Sequence, residues 1–162
     1  MKKLLIFLLV LLSLFAGFAF SEVLVDGDIA ITEELMVEYG YDYITDEEVA
    51  LYLHAFEELP LCYITKNDAR DLGWDGNGNH LWQLDDGYCI GGDKFGNREG
   101  ILPKAKGRQY YECDVNFDDG KRGAERLVFS NDGLIYYTAD HYESFELIYD
   151  GWYYADGYYR GY

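Results

Sequence analysis

The chain is short of basic charge. Its 13 Lys and Arg stand against 30 Asp and Glu, giving a formal charge of −17 at pH 7. Taken alone, that argues against a polyanion as partner, because phosphate-binding proteins ordinarily carry a basic patch that releases counterions. Cysteine is scarce too, with only Cys62, Cys89 and Cys113. Their spacing matches no zinc signature. An odd number leaves at least one thiol unpaired in a monomer. Each is expected as a small buried apolar side chain, with a Cys89–Cys113 bridge as the alternative if their strands are neighbours. Long apolar runs are missing after the first twenty residues, so no later segment is expected to span a bilayer.

What is there begins with Met1-Lys2-Lys3, an apolar run from Leu4 to about Phe15, and Ala19-Phe20-Ser21 before Glu22. A basic start, an apolar stretch and a small-x-small site read as a signal peptide over residues 1–21. The run falls short of the roughly 20 residues of a spanning helix, and no basic flank follows it. The expected product is secreted, extracellular and monomeric, with no stable membrane association. Without Lys2 and Lys3 its formal charge is −19. Residues 22–44 are acidic, with no Lys or Arg. They read as an N-terminal extension or propeptide, or as part of the fold, in which Glu33 to Tyr39 suits a short helix.

From residue 45 the pattern is that of a folded domain. Thr45-Asp46-Glu47-Glu48 is a capping box, with Glu48 expected to reach back to the Thr45 N–H. Val49, Tyr52, Leu53 and Phe56 follow at helical spacing, and Pro60 ends the helix. Thr65 opens a second helix, with Gly73 past its end. Asn79 is a candidate cap for a third. Short β-like runs then follow: Tyr88 to Ile90, Gln109 to Val115, Arg126 to Ser130, Leu134 to Thr138 and Phe145 to Tyr149. Asn131-Asp132-Gly133 is a hairpin turn. Helices followed by an antiparallel meander predict an α+β domain over residues 45–149, with the apolar face of the sheet on the first helix. Residues 150–162 form a Tyr- and Gly-rich tail.

Glu112, Arg122, Arg126 and His141 make up the parts list for phosphoester transfer: a carboxylate base, an imidazole acid and cations for the phosphorane charge. Spacing alone leaves open whether they converge. Two other signals are weaker. Asp75-x-Asn77-x-Asn79 with Asp86 echoes a calcium loop, but His80 replaces the glycine and Asp86 the bidentate Glu, so a turn is expected. Gly91-Gly92 suggests a tight backbone feature, because no Gly-Lys-Ser/Thr follows.

Several longer segments carry a resemblance. Tyr63-Ile-Thr-Lys-Asn-Asp-Ala-Arg-Asp-Leu-Gly-Trp74, Ile90-Gly-Gly-Asp-Lys-Phe-Gly-Asn-Arg-Glu-Gly100 and Gly107-Arg-Gln-Tyr-Tyr-Glu-Cys-Asp-Val-Asn116 occur in this order. Arg122, Arg126, Tyr136 and Thr138-Ala-Asp-His-Tyr142 follow them. From about Tyr43 to Ile148 the chain resembles the barnase family of bacterial ribonucleases. The resemblance implies the microbial ribonuclease fold and cleavage of single-stranded RNA after guanosine, with no metal or cofactor. Glu112 matches the general base and His141 the general acid. Lys66, Arg122 and Arg126 match the cations around the scissile phosphate. Phe95, Asn97, Arg98 and Glu99 match the guanine-recognition loop, and Tyr142 a residue flanking the base. Asp93 and Asp114 match structural partners. A barstar-type protein inhibitor is an implied partner.

The chain departs from this family in charge. Residues 45–149 hold 21 acidic and 10 basic side chains. Lys66, Lys94, Arg98, Arg108, Arg122 and Arg126 fall in or near the matching site, so a locally positive cleft on an acidic body is expected. RNA and inhibitor would then gain less from long-range attraction. Two other readings compete: an exported binding domain that kept the fold, and a toxin module whose cleft is shielded by residues 22–44 until processing.

Overall fold

The computed structural model describes residues 23–32, 34–76, 87–117 and 122–152. Three short strands come first: β1 (Leu24–Asp26), β2 (Ile29–Ile31) and β3 (Met36–Glu38) form an antiparallel sheet. The helix expected over Glu33 to Tyr39 is therefore not formed; β3 occupies its centre. Gly27, at φ +62°, turns the chain between Asp26 and Asp28. Ala30 and Val37 are buried against Leu51 and Tyr52 of helix α1 (Asp46–Phe56). The Tyr43 hydroxyl accepts from Glu38 N–H at 2.8 Å, and the Tyr52 hydroxyl from Gly40 N–H at 3.1 Å.

Thr45 caps α1, its hydroxyl oxygen accepting from Glu48 N–H at 3.3 Å. The reciprocal half of the capping box differs from expectation. The Glu48 carboxylate accepts from the Thr45 hydroxyl at 2.7 Å. The helix stops before Pro60, where Glu57 turns left-handed and its N–H returns to the Leu53 carbonyl. A second helix, α2 (Lys66–Asp71), is capped by Thr65 and followed by Gly73 at φ +105°. Asn79, the proposed third-helix cap, lies outside the described residues, as do most of the calcium-like segment and the tail from 153.

The large sheet runs β4 (Tyr63–Ile64), β5 (Cys89–Phe95), β6 (Tyr110–Asp114), β7 (Arg126–Ser130), β8 (Leu134–Thr138) and β9 (Glu146–Asp150), in sequence order. It is mixed, not purely antiparallel, because β4 pairs parallel to β5. The fold is α+β. Register decides what each face carries, since alternate side chains point to opposite sides. Cys113, Leu127 and Ile135 face α1 and pack with its Val49, Ala50 and Leu53. The small and large sheets thus hold opposite sides of α1. The other face of the large sheet presents Tyr110, Glu112 and Asp114 from β6, and Arg126 and Val128 from β7. Tyr136 and Thr138 of β8 complete the row.

Gly91-Gly92 is a bulge. Register shifts between Gly91 and Asp93, and Gly92 has φ +86°. A side chain at Gly91 would come within 2.6 Å of both Cys113 Cβ and the Tyr63 ring. The bulge sets Asp93 opposite Glu112. Among the described residues no helix is long and apolar enough to cross a membrane.

Candidate active site

The floor of the site is built on Asp114. Strand pairing sets it opposite Arg126, which in turn lies opposite Thr138. The side chains of Asp114 and Arg126 are only 5% and 3% exposed, with Arg126 Nε 2.8 Å from Asp114 Oδ1. That Nε has no aligned hydrogen-bond acceptor, so the contact is one of charge. Arg126 is instead fixed by donation to the Gly123 and Glu125 carbonyls at 2.9 and 2.7 Å. Arg122 reaches the same carboxylate through Nε and through Nη2, the latter at 3.0 Å. Its guanidinium lies over the Trp74 ring, 5.6 Å from the centroid. Burial pulls the Arg122 pKa down, and the bonds to Asp114 more than reverse it. One buried carboxylate thus holds two fixed cations.

Lys66 arrives from α2. Its backbone N–H donates to Asp93 Oδ2 at 2.9 Å, tying the helix to β5, and its ammonium forms an ion pair with the Glu112 carboxylate. The Tyr142 hydroxyl lies near Glu112. Burial first, and then Glu112, push the Tyr142 pKa well up, so the phenol keeps its proton, while the Arg126 charge acts on it in the opposite sense.

Tyr142 and His141 sit on a tightly wound loop after β8. Both have positive φ, +59° for His141 and +78° for Tyr142. Left-handed non-glycine residues cost roughly 1–3 kcal/mol each and persist only when their surroundings hold them. Here Thr138 and Asp140 do so. The Thr138 hydroxyl accepts from Tyr142 N–H at 3.0 Å and donates to Asp140, which accepts from the Glu143 and Ser144 N–H groups at 2.9 Å. The winding leaves His141 exposed, with its ring 4.7 Å from that of Tyr142. The Tyr142 ring packs 5.2 Å from Phe95 at the end of β5.

Phe95 opens the loop over residues 95–102. The Asn97 amide donates to the Leu102 carbonyl at 2.8 Å and accepts from its N–H at 3.1 Å. Its side chain is therefore used inside the loop. Arg98 and Glu99 are exposed. Arg108, expected near the cleft, is bound by Asp132 at the β7–β8 turn, with Nη2–Oδ2 at 2.6 Å. The site thus joins Lys66, Glu112, Arg122, Arg126 and Tyr142 in one contact network, with His141 beside it. Among the described residues no group of His, Cys, Asp and Glu is arranged to hold a metal.

A ribonuclease family profile matches residues 47–149. The chain is 49% identical over 104 residues to the Ribonuclease of Heyndrickxia coagulans, covering 64% of this chain and 95% of that protein. It is equally identical over 104 residues to the Ribonuclease of Bacillus intermedius, covering 64% of each. Over 61 residues it is 49% identical to Guanyl-specific ribonuclease St of Saccharopolyspora erythraea, which spans 37% of this chain and 60% of that protein. The chain belongs to the barnase-like microbial ribonuclease family. The matched stretch of this ribonuclease holds every site residue named above, whereas β1–β3 lie outside it. Sequence reasoning missed two residues that shape the site. Trp74 carries Arg122, and Asp140 winds the His141 loop. Thr138-Ala-Asp140, two side chains able to bond nearby backbone, was the legible signal for the second.

Proposed function

We propose that the chain is an exported endoribonuclease that cleaves single-stranded RNA after guanosine, without a metal. The observation that carries this reading is the setting of Glu112. It is paired with Lys66 and flanked by Tyr142, above a floor of two guanidiniums and beside an exposed imidazole. Glu112 takes the 2′-hydroxyl proton, and His141 protonates the leaving 5′-oxygen. Lys66, Arg122 and Arg126 stabilise the charge of the phosphorane in a site organised before substrate arrives. A 2′,3′-cyclic phosphate results, and its hydrolysis exchanges the two roles. Phe95 and Tyr142 flank the base. Main-chain donors of residues 96–99 and the Glu99 carboxylate meet the guanine edge, with Arg98 nearby. A barstar-like inhibitor would bind over the same cations.

The test is turnover of a GpN dinucleotide and of single-stranded RNA by residues 22–162 with EDTA present. The expected result is cleavage after G to a cyclic phosphate. Glu112→Ala and His141→Ala should each lose roughly 10²-fold or more. Folded wild type that cleaves neither substrate would refute the enzyme and favour an exported binding domain.

A further inference from the structure

The cysteines have no part in this reaction. All three are buried, with free thiols. Two are neighbours. The N–H of Cys89, which opens β5, donates to the carbonyl of Cys62 at 2.8 Å, and Cys89 pairs in register with Tyr63. The Cys62 thiol donates to the Tyr43 carbonyl at 3.8 Å and the Cys89 thiol to the Gly87 carbonyl at 3.7 Å. The neighbouring Cys62 thiol, and then burial, push the Cys89 thiol well above its ordinary range. Cys113 stands apart. Its ladder partner is Gly91, so Cys89 lies one diagonal step along β5. Such diagonal neighbours are about 7–8 Å apart, beyond the usual Cα separation of a disulfide, about 4.4–6.8 Å. Cys113 instead packs with Val49, Leu53 and Leu127 on the α1 side.

We propose that Cys62 and Cys89 are an oxidation site, joined as a disulfide when the chain folds in an oxidising medium, with Cys113 left as the free thiol. Each thiol gives up one proton and one electron. The electrons and protons reduce an exchanging disulfide, such as oxidised glutathione, to two thiols. The new bond closes a loop over residues 63–88, which contains β4, α2 and Lys66. Burial disfavours the attacking thiolate once the chain is folded, so the bond forms with folding and afterwards resists reduction. The oxidising medium is that of an exported protein, but the bond is independent of the ribonuclease reading.

The test is refolding of residues 22–162 in a glutathione redox buffer, then alkylation in denaturant without reductant and peptide mapping. One alkylated thiol, at Cys113, is expected, with Cys62 and Cys89 in one cross-linked fragment. The thermal midpoint should lie roughly 5–15 °C above that of the reduced protein. Turnover at 25 °C should agree within about twofold between the two forms. Three alkylated thiols, or Cys113 in the cross-link, would overturn the proposal whatever the activity. Cys113→Ser should keep the bond and Cys62→Ser should lose it. If Cys62→Ser fails to fold, the wild-type map still decides.

Discussion

Asp114 is the residue on which the site most depends, and it touches no atom of the proposed substrate. It neutralises Arg126 at the core and Arg122 at the edge. Removing one partner of a buried pair leaves an uncompensated charge, so Asp114→Asn should cost about 3–5 kcal/mol in urea unfolding. It should also lower kcat more than a surface carboxylate change would. Loss under 1 kcal/mol would mean that the guanidiniums find other partners. Asp140 gives a pH prediction. Bonds from the Ser144 hydroxyl and N–H, and from Thr138 and Glu143, hold its carboxyl at about 2, below the ordinary 3.8. A depressed carboxyl stabilises above its unfolded value and loses that support as pH falls through the folded one. Protection of the amides of residues 141–144, measured against their intrinsic exchange rates, should therefore fall between pH 4 and 2, and in Asp140→Asn it should already be low at pH 7. Unchanged exchange in the variant would show that Asp140 does not hold the loop. The convergence of side chains was legible where the motifs singled out charged residues, as at Glu112 and Lys66, which form an ion pair. Roles were not legible where a side chain bonds backbone or holds a neighbour. Asn97 carries the right side chain in the right loop, yet spends it on Leu102.

The elements of the large sheet were readable because their signals are local. β7 and β8 coincide with the expected runs, and the hairpin between them turns on Asn131-Asp132-Gly133, with Gly133 N–H bonding the Ser130 carbonyl at 3.1 Å. The parallel pairing of β4 was not readable, since two residues carry no directional signal. The small sheet was missed for another reason. Strands of three residues are too short to show alternation, and acidic composition masks their apolar positions. Asp26-Gly27 between apolar runs was the available hairpin signal. This sheet lies on the α1 side, opposite the face that bears Glu112, which argues against its shielding the cleft. Deleting residues 22–41 should destabilise the protein by more than about 3 kcal/mol, the burial of one or two apolar side chains. It should leave turnover per folded molecule within about twofold. A large rise in turnover would instead restore the propeptide reading. Thr45→Ala should cost about 1 kcal/mol by the same unfolding measurement.

At the scale of the whole molecule, charge is the feature that sequence resemblance alone could not reconcile with an RNA substrate. In the structure the expected locally positive cleft is not a cluster of unpaired cations: each cation of the site meets a carboxylate, and Arg108 is held by Asp132. Arg122 and Arg126 share Asp114, and Lys66 meets Glu112, so the cations of the site are already paired and fixed. The remaining acid is distributed elsewhere, as in the exposed Glu47, Asp68 and Asp71 on the helices and Glu143 and Glu146 near β9. An acidic body repels RNA at long range, over a Debye length of about 10 Å at 0.1 M salt. Salt screens that repulsion while weakening the short-range contacts at the cleft. The two effects oppose each other, so log kcat/KM against log salt should be flat or rising between about 10 and 100 mM. A protein neutralising several phosphates on a basic surface would show a steep fall instead, with a slope of about −0.7 per phosphate on a single strand. Initial-rate measurements on single-stranded RNA across that range distinguish the two. A steep fall would mean that the local field of Lys66, Arg98, Arg122 and Arg126 dominates encounter despite the net charge of −17. A flat profile would mean that recognition by this ribonuclease begins only at contact.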